Sequence, residues 1–185
     1  LGAALAPVDG SQLGDVVDIT AAESFSLTTV GTFAHKLPAG ADNNIVTKCY
    51  HFFCQAMEKH GKATTPVALT LHKNLPIGSG LGSSASSLVA AFAALNSYFD
   101  CPFDEDTLLH MMGELEGQIS GSIHYDNVAP CYQGGMTLMT GAQEPVTLSL
   151  PLNPTWYYAI CYSGISVSTA AARDILPKQI EMSTA

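Results

Sequence analysis

Apolar and polar positions alternate over residues 67–72, with Val67, Leu69 and Leu71 set against Ala68, Thr70 and His72. That is the period of a strand with one buried face. Beyond a glycine-rich run the period changes: Leu88, Phe92, Leu95 and Phe99 recur at spacings of four, three and four. They mark one face of a helix. Val46, Tyr50, Phe53 and Met57 predict another helix, with Asn44 placed to cap it. A third helix carries Leu108, Leu109, Met111, Met112, Leu115 and Ile119 on its apolar side. Asp104, Glu105 and Asp106 open it as cap and first-turn acids, favoured there by the helix dipole. Strand patterns follow at 137–139, 146–150 and 156–162, without a repeat or low-complexity tract. Strand, helix, helix and then several strands predict an α+β sandwich rather than a doubly wound sheet.

Between the first strand and the alanine-rich helix runs Pro76-Ile77-Gly78-Ser79-Gly80-Leu81-Gly82-Ser83-Ser84-Ala85-Ser86. A glycine-rich loop entering a helix leaves backbone N–H groups pointing outward at the positive end of the dipole. Such a terminus binds phosphate. No lysine follows Gly82, so this is not a Walker A loop. Ser83 follows Gly82 where no third glycine fits the Rossmann spacing. One hydroxyl of Ser83-Ser84 can cap the helix while the other meets a phosphate oxygen or a magnesium ion. The plainer reading is a strand-to-helix turn with ordinary serine caps. Lys73 either assists at the loop or is a solvated lysine at a strand end.

Charge narrows the partners. The 185 residues carry 7 basic against 16 acidic side chains, a net charge of −9. This argues against nucleic acid and an anionic membrane surface, which demand basic stripes. An acidic chain that binds a nucleotide triphosphate relies on backbone amides and a divalent cation. Exposed anions gain ~0.3–1 kcal/mol at a helix terminus, and partly buried ones up to ~2. Apolar runs stop well short of the ~18 residues of a membrane span. The five cysteines form no C-x-x-C and sit mostly in apolar patterns, so they read as reduced core residues of a cytoplasmic protein.

Three strings together resemble the GHMP kinases: the loop 76–85; His124-Tyr125-Asp126-Asn127-Val128-Ala129-Pro130; and Ser168-Thr169-Ala170-Ala171-Ala172-Arg173-Asp174-Ile175-Leu176-Pro177. Leu1-Gly2-Ala3-Ala4 is similar to residues following that family's N-terminal substrate segment. The last two strings resemble bacterial homoserine kinases within the family. The resemblance implies a ribosomal-protein-S5-like (domain 2) N-terminal domain over 1–150. Residues 151–185 would then begin a ferredoxin-like C-terminal domain that is otherwise absent. A fragment is expected, because the family also has an N-terminal Asn/Asp segment, a second glycine-rich loop and another arginine. ATP, Mg2+, L-homoserine and a homodimer are implied, with the hydroxyl of L-homoserine phosphorylated on the route to threonine. Two alternatives are another GHMP kinase with a different alcohol, and a nucleotide-binding domain without catalysis.

Candidate side chains follow. Glu114 and Glu116 lie near the C-terminal end of the third helix, where the dipole disfavours acids. The resemblance gives Glu116, eight residues before His124, to magnesium together with Ser84; Glu114 reads as solvated. Asp126 and Asn127 read as an Asx-type turn, or by resemblance as substrate contacts, with Asp126 on the amino group. Phosphoryl transfer relies on alignment and charge neutralisation, so Asp126 is expected to position rather than to accept a proton. His124 reads as structural. Arg173, the chain's only arginine, lies about one helical turn past Thr169. It either pairs with terminal carbonyls or, by resemblance, binds the substrate carboxylate as a bidentate fork with Thr169 beside it. Asn44, besides capping, matches family positions near the adenine.

Overall fold

The computed structural model describes residues 1–11, 13–38, 40–121, 123–142, 144–165, 175 and 177. Thr169 and Arg173 lie outside the described residues. In chain order the elements are β1 (Gly2–Ala3), β2 (Val16–Ala21), β3 (Ser26–Val30), α1 (Ile45–Lys59), β4 (Val67–His72) and α2 (Ser83–Tyr98). Then come α3 (Glu105–Ser120), α4 (Val128–Gln133), β5 (Met136–Met139) and β6 (Thr147–Leu150). Short 3-10 turns at Ala34–Lys36 and Ala41–Asn43 lead into α1.

The described residues form two three-stranded sheets, in the orders β2-β4-β3 and β1-β5-β6. In the first, β2 runs antiparallel to β4, with Val17 opposite Leu71, while β3 runs parallel to it, with Leu27 opposite Leu69. The alternation expected at 67–72 holds: Val67, Leu69 and Leu71 are buried and their neighbours half-buried. These inward residues pack on the helical layer, and each fully buried aliphatic or aromatic side chain contributes ~1.5–3 kcal/mol. α2 is the central helix. Ten of its sixteen residues are buried, because β2, α1, α3 and α4 all pack around it. Small residues such as Ala85 and Ala91 let those neighbours approach. The expected faces are present, with Leu88, Phe92 and Leu95 fully buried on α2 and Val46, Tyr50, Phe53 and Met57 buried on α1.

The caps behave as their chemistry dictates. Asn44 Oδ1 accepts the N–H of Val46 at 3.0 Å and starts α1. Asp104 Oδ1 accepts the N–H of Thr107 at 2.9 Å and starts α3; hydrogen bonding from the Thr107 side chain, and then from its N–H, pulls the Asp104 carboxyl below its ordinary value. Gly121 ends α3 at φ +90°, where its N–H reaches the Gly117 carbonyl at 2.9 Å.

Three expectations fail. Residues 156–162 form no strand, and Trp156, Tyr157, Tyr158, Ile160 and Tyr162 are exposed. Among the described residues no strand lies beside them, so their backbone groups have no ladder to join. Ile119 is 41% exposed, because it lies in the last turn of α3, beyond the face that meets the core. All five cysteines are free thiols, but only Cys49 is buried while Cys101, Cys131 and Cys161 are exposed. The patterns at 2–3, 16–21 and 26–30 drew no strand expectation, yet they supply β1, β2 and β3. No described helix is long and apolar enough to cross a membrane.

Candidate active site

The loop between β4 and α2 is built on positive φ, at +69° for Gly78, +78° for Gly80 and +66° for Gly82. Side chains with a Cβ rarely adopt that conformation. Ser79 pins the turn: its hydroxyl donates to the Pro76 carbonyl at 2.8 Å and accepts the Leu81 N–H at 3.3 Å. Neither serine caps α2, contrary to expectation. Gly82 occupies the N-cap position in the left-handed conformation with no side-chain cap, and Ser83 Oγ donates backward to the Leu75 carbonyl at 3.2 Å. Among the described residues no side-chain cap is therefore made at the start of this helix. Ser84 is exposed in its first turn.

The loop and this first turn open onto a cavity of about 700 Å3. Residues Ile77 to Gly80 and Gly82 to Ala85 form one wall. Lys36, Pro38, Asn43 and Asn44 also line it, as do Glu116, His124, Asp126 and Asn127. Pro76, Leu81 and Ser86 do not line it. Ser86 was expected at the cofactor, but its hydroxyl points the other way and accepts the Asp15 N–H at 2.9 Å.

Asp126 and Asn127 do form a turn, just before α4. Asn127 lies over the loop: a Cβ at Gly82 would stand 3.5 Å from Asn127 Oδ1. The carbonyl of Asp126 backs onto Gly2 in β1, where a Cβ would overlap that oxygen. Burial, and then the charge of Asp126, push the Glu116 carboxyl above its ordinary value, while His124 opposes them. Glu114 is exposed and accepts only a long bond, 3.5 Å, from Gln118. Two carboxylates, an exposed hydroxyl and the first turn of α2 thus line one cavity.

Residues 44–135 match the GHMP kinases N terminal domain. The chain carries a GHMP kinase N-terminal domain.

Solved GHMP kinases share the fold. The homoserine kinase of Cytophaga hutchinsonii ATCC 33406 is 31% identical, with a TM-score of 0.70 over 90% of this chain and 52% of its own. A mevalonate kinase is 14% identical, with a TM-score of 0.57 over 76% of this chain and 47% of its own. The Streptococcus pneumoniae phosphomevalonate kinase, in complex with phosphomevalonate and AMPPNP, is 15% identical, with a TM-score of 0.50 over 63% of this chain and 37% of its own. The latter two bear on the fold alone. The chain spans about half the length of the homoserine kinase that it matches.

In this GHMP kinase domain Lys73 is not a solvated strand-end residue. It is 2% exposed, and its ammonium ion-pairs with Asp15. Burial pulls that ammonium below the ordinary lysine value, with Asp15 opposing. The strand pattern contained the signal: Lys73 continues the inward positions Val67, Leu69 and Leu71. A lysine on a buried face requires a carboxylate. Asp15 itself had no local signal, since its partner lies 58 residues away. Lys36, exposed at the cavity wall with its ammonium 5.6 Å from the Phe33 ring centroid, also escaped the sequence reading.

Proposed function

We propose that this domain is the nucleotide-binding half of an ATP-dependent kinase that phosphorylates the hydroxyl of L-homoserine. The observation that carries the reading is one cavity lined by the glycine loop, the first turn of α2 with Ser84, and the carboxylates Glu116 and Asp126. The 31% identity to a homoserine kinase favours that substrate over other alcohols. Residues 1–150 would form this domain, and 151–185 the beginning of a second.

In this reading the backbone N–H groups from Gly80 to Ser84 bind the phosphates of ATP, aided by the dipole of α2. Asn44 lies beside the adenine. The Ser84 hydroxyl and the Glu116 carboxylate fit a hard, oxygen-seeking ion. Among the described residues no cluster of three His, Cys, Asp or Glu could hold a metal by itself, which suits an ion that takes its remaining ligands from phosphate and water. Mg2+ supplies two positive charges against the phosphate oxygens. Asp126 binds the substrate ammonium beside Asn127, and Arg173 with Thr169 binds its carboxylate. The substrate hydroxyl then attacks the γ-phosphorus, the bond to the β-phosphate oxygen breaks, and ADP leaves. The hydroxyl proton passes to solvent or a phosphoryl oxygen. Asp126, paired with an ammonium, is a weak base and acts by alignment. On the same reading the enzyme is a cytoplasmic homodimer on the route to threonine.

The test is ADP release from MgATP by the full-length gene product, with L-homoserine, L-serine, mevalonate and galactose offered separately. Turnover with L-homoserine supports the reading. Turnover with another alcohol keeps the kinase and replaces the substrate. Nucleotide binding without turnover points to a regulatory domain.

A further inference from the structure

Behind the glycine loop a carboxylate and an ammonium are both withdrawn from water. The side chains of Asp15 and Lys73 are 0% and 2% exposed. Lys73 Nζ donates to Asp15 Oδ2, to the Ser83 carbonyl at 2.9 Å and to Ser87 Oγ at 3.1 Å. Ser87 Oγ donates to the same carboxylate oxygen at 2.5 Å. The other oxygen, Oδ1, accepts the N–H groups of Asn74 at 2.8 Å and Leu75 at 3.0 Å. The pair therefore holds the backbone at Leu75, where the loop leaves β4, and at Ser83, where it enters α2.

A buried ion pair is a weak stabiliser, because desolvation offsets much of its Coulomb attraction. Its distinctive contribution is geometric. Each carboxylate oxygen and the ammonium has a fixed partner on one of the loop's two ends. We propose that Asp15 and Lys73 are positioning residues, which set the loop and the first-turn N–H groups of α2 in the orientation that receives nucleotide phosphates. The inference rests on reading the cavity as a nucleotide site. The rival is that Lys73, which also lines the cavity, is a direct phosphate ligand. The two differ in sign. If Lys73 contacts phosphate, removing the Asp15 charge frees the ammonium and tightens nucleotide binding. If the pair positions the loop, the same change weakens binding.

The experiment is calorimetric titration of MgADP, and separately of L-homoserine, into full-length wild type, Asp15→Asn and Ser87→Ala, with folding checked by circular dichroism. We expect MgADP affinity to fall about five-fold or more in Asp15→Asn, the lower end of coupling between distinct sites. Ser87→Ala should fall in the same direction by less, with homoserine affinity unchanged in both. Equal or tighter MgADP binding by Asp15→Asn overturns the inference, as does an equal loss for both ligands. Should Asp15→Asn not fold, Ser87→Ala decides by the same criteria. No MgADP binding by the wild type would remove the nucleotide reading together with this one, whereas unaltered binding by the variants removes this one alone.

Discussion

Gly113 lies flat beneath the ring of Tyr125: a Cβ there would overlap Cε1 and stand 2.5 Å from Cζ. One turn on, a Cβ at Gly117 would stand 2.7 Å from Ile123 Cγ1. The smooth face of α3 thus receives residues 123 and 125, so that the alternate side chains, His124 and Asp126, line the cavity with Glu116. Gly113→Ala gains about 1 kcal/mol of helix propensity. Overpacking against a ring costs about 1–3 kcal/mol and displaces the segment that carries Asp126. We expect a lower melting midpoint and reduced kcat. Unchanged values in both would show that Tyr125 moves aside freely.

Glu116 should show a pH signature. Its raised carboxyl favours the protonated form in the folded state. Its contribution to stability is fully present below the ordinary value of 4.5 and is lost as pH rises through the raised value. At neutral pH the ionised side chain therefore costs stability in the absence of metal. Glu116→Gln should raise the metal-free melting midpoint at neutral pH, by a margin that shrinks below pH 4.5, while activity demands much more Mg2+. A lower midpoint at neutral pH, or an unchanged magnesium titration, would contradict this.

Asn44 combines a cap with a place on the cavity wall, and two substitutions separate them. Asn44→Ala loses the cap, at a cost of ~0.5–2 kcal/mol. Asn44→Ser keeps a capping oxygen but shortens the side chain, so the midpoint should hold while KM for ATP rises. An unchanged KM for ATP would leave Asn44 as a cap alone.

Asp126→Asn should raise KM for homoserine more than it lowers kcat, because an amide binds an ammonium less well than a carboxylate does. A loss confined to kcat would instead give Asp126 the substrate proton.

Arg173→Lys replaces a planar fork by a point charge. KM for homoserine should rise well above that for ATP. Equal rises in steady-state assays would sink the carboxylate assignment.

What the sequence disclosed follows from range. Helix faces, the caps at Asn44 and Asp104, and the alternation of β4 depend on residues within a turn or two, and they are present except for Ile119 at the end of α3. The loop and the segment around Asp126 were legible as local strings, and their meeting is seen where Gly82 lies beneath Asn127. The Asp15–Lys73 pair was not legible, because its partners are 58 residues apart and neither carries a motif. The segment at 156–162 misled because a continuous run of apolar and aromatic residues records hydrophobicity but not the presence of a neighbouring strand.

β4 is the middle strand of its sheet, bonded to β2 on one side and β3 on the other, and the glycine loop departs from its end. The N–H groups of such a strand point alternately to its two neighbours, so β4 as a whole comes free only when both flanking ladders part, and it belongs among the last segments to open. Fluctuations that loosen β2 or β3 singly leave the root of the loop in register. The site can therefore empty and refill while its anchorage outlasts many rounds of local opening.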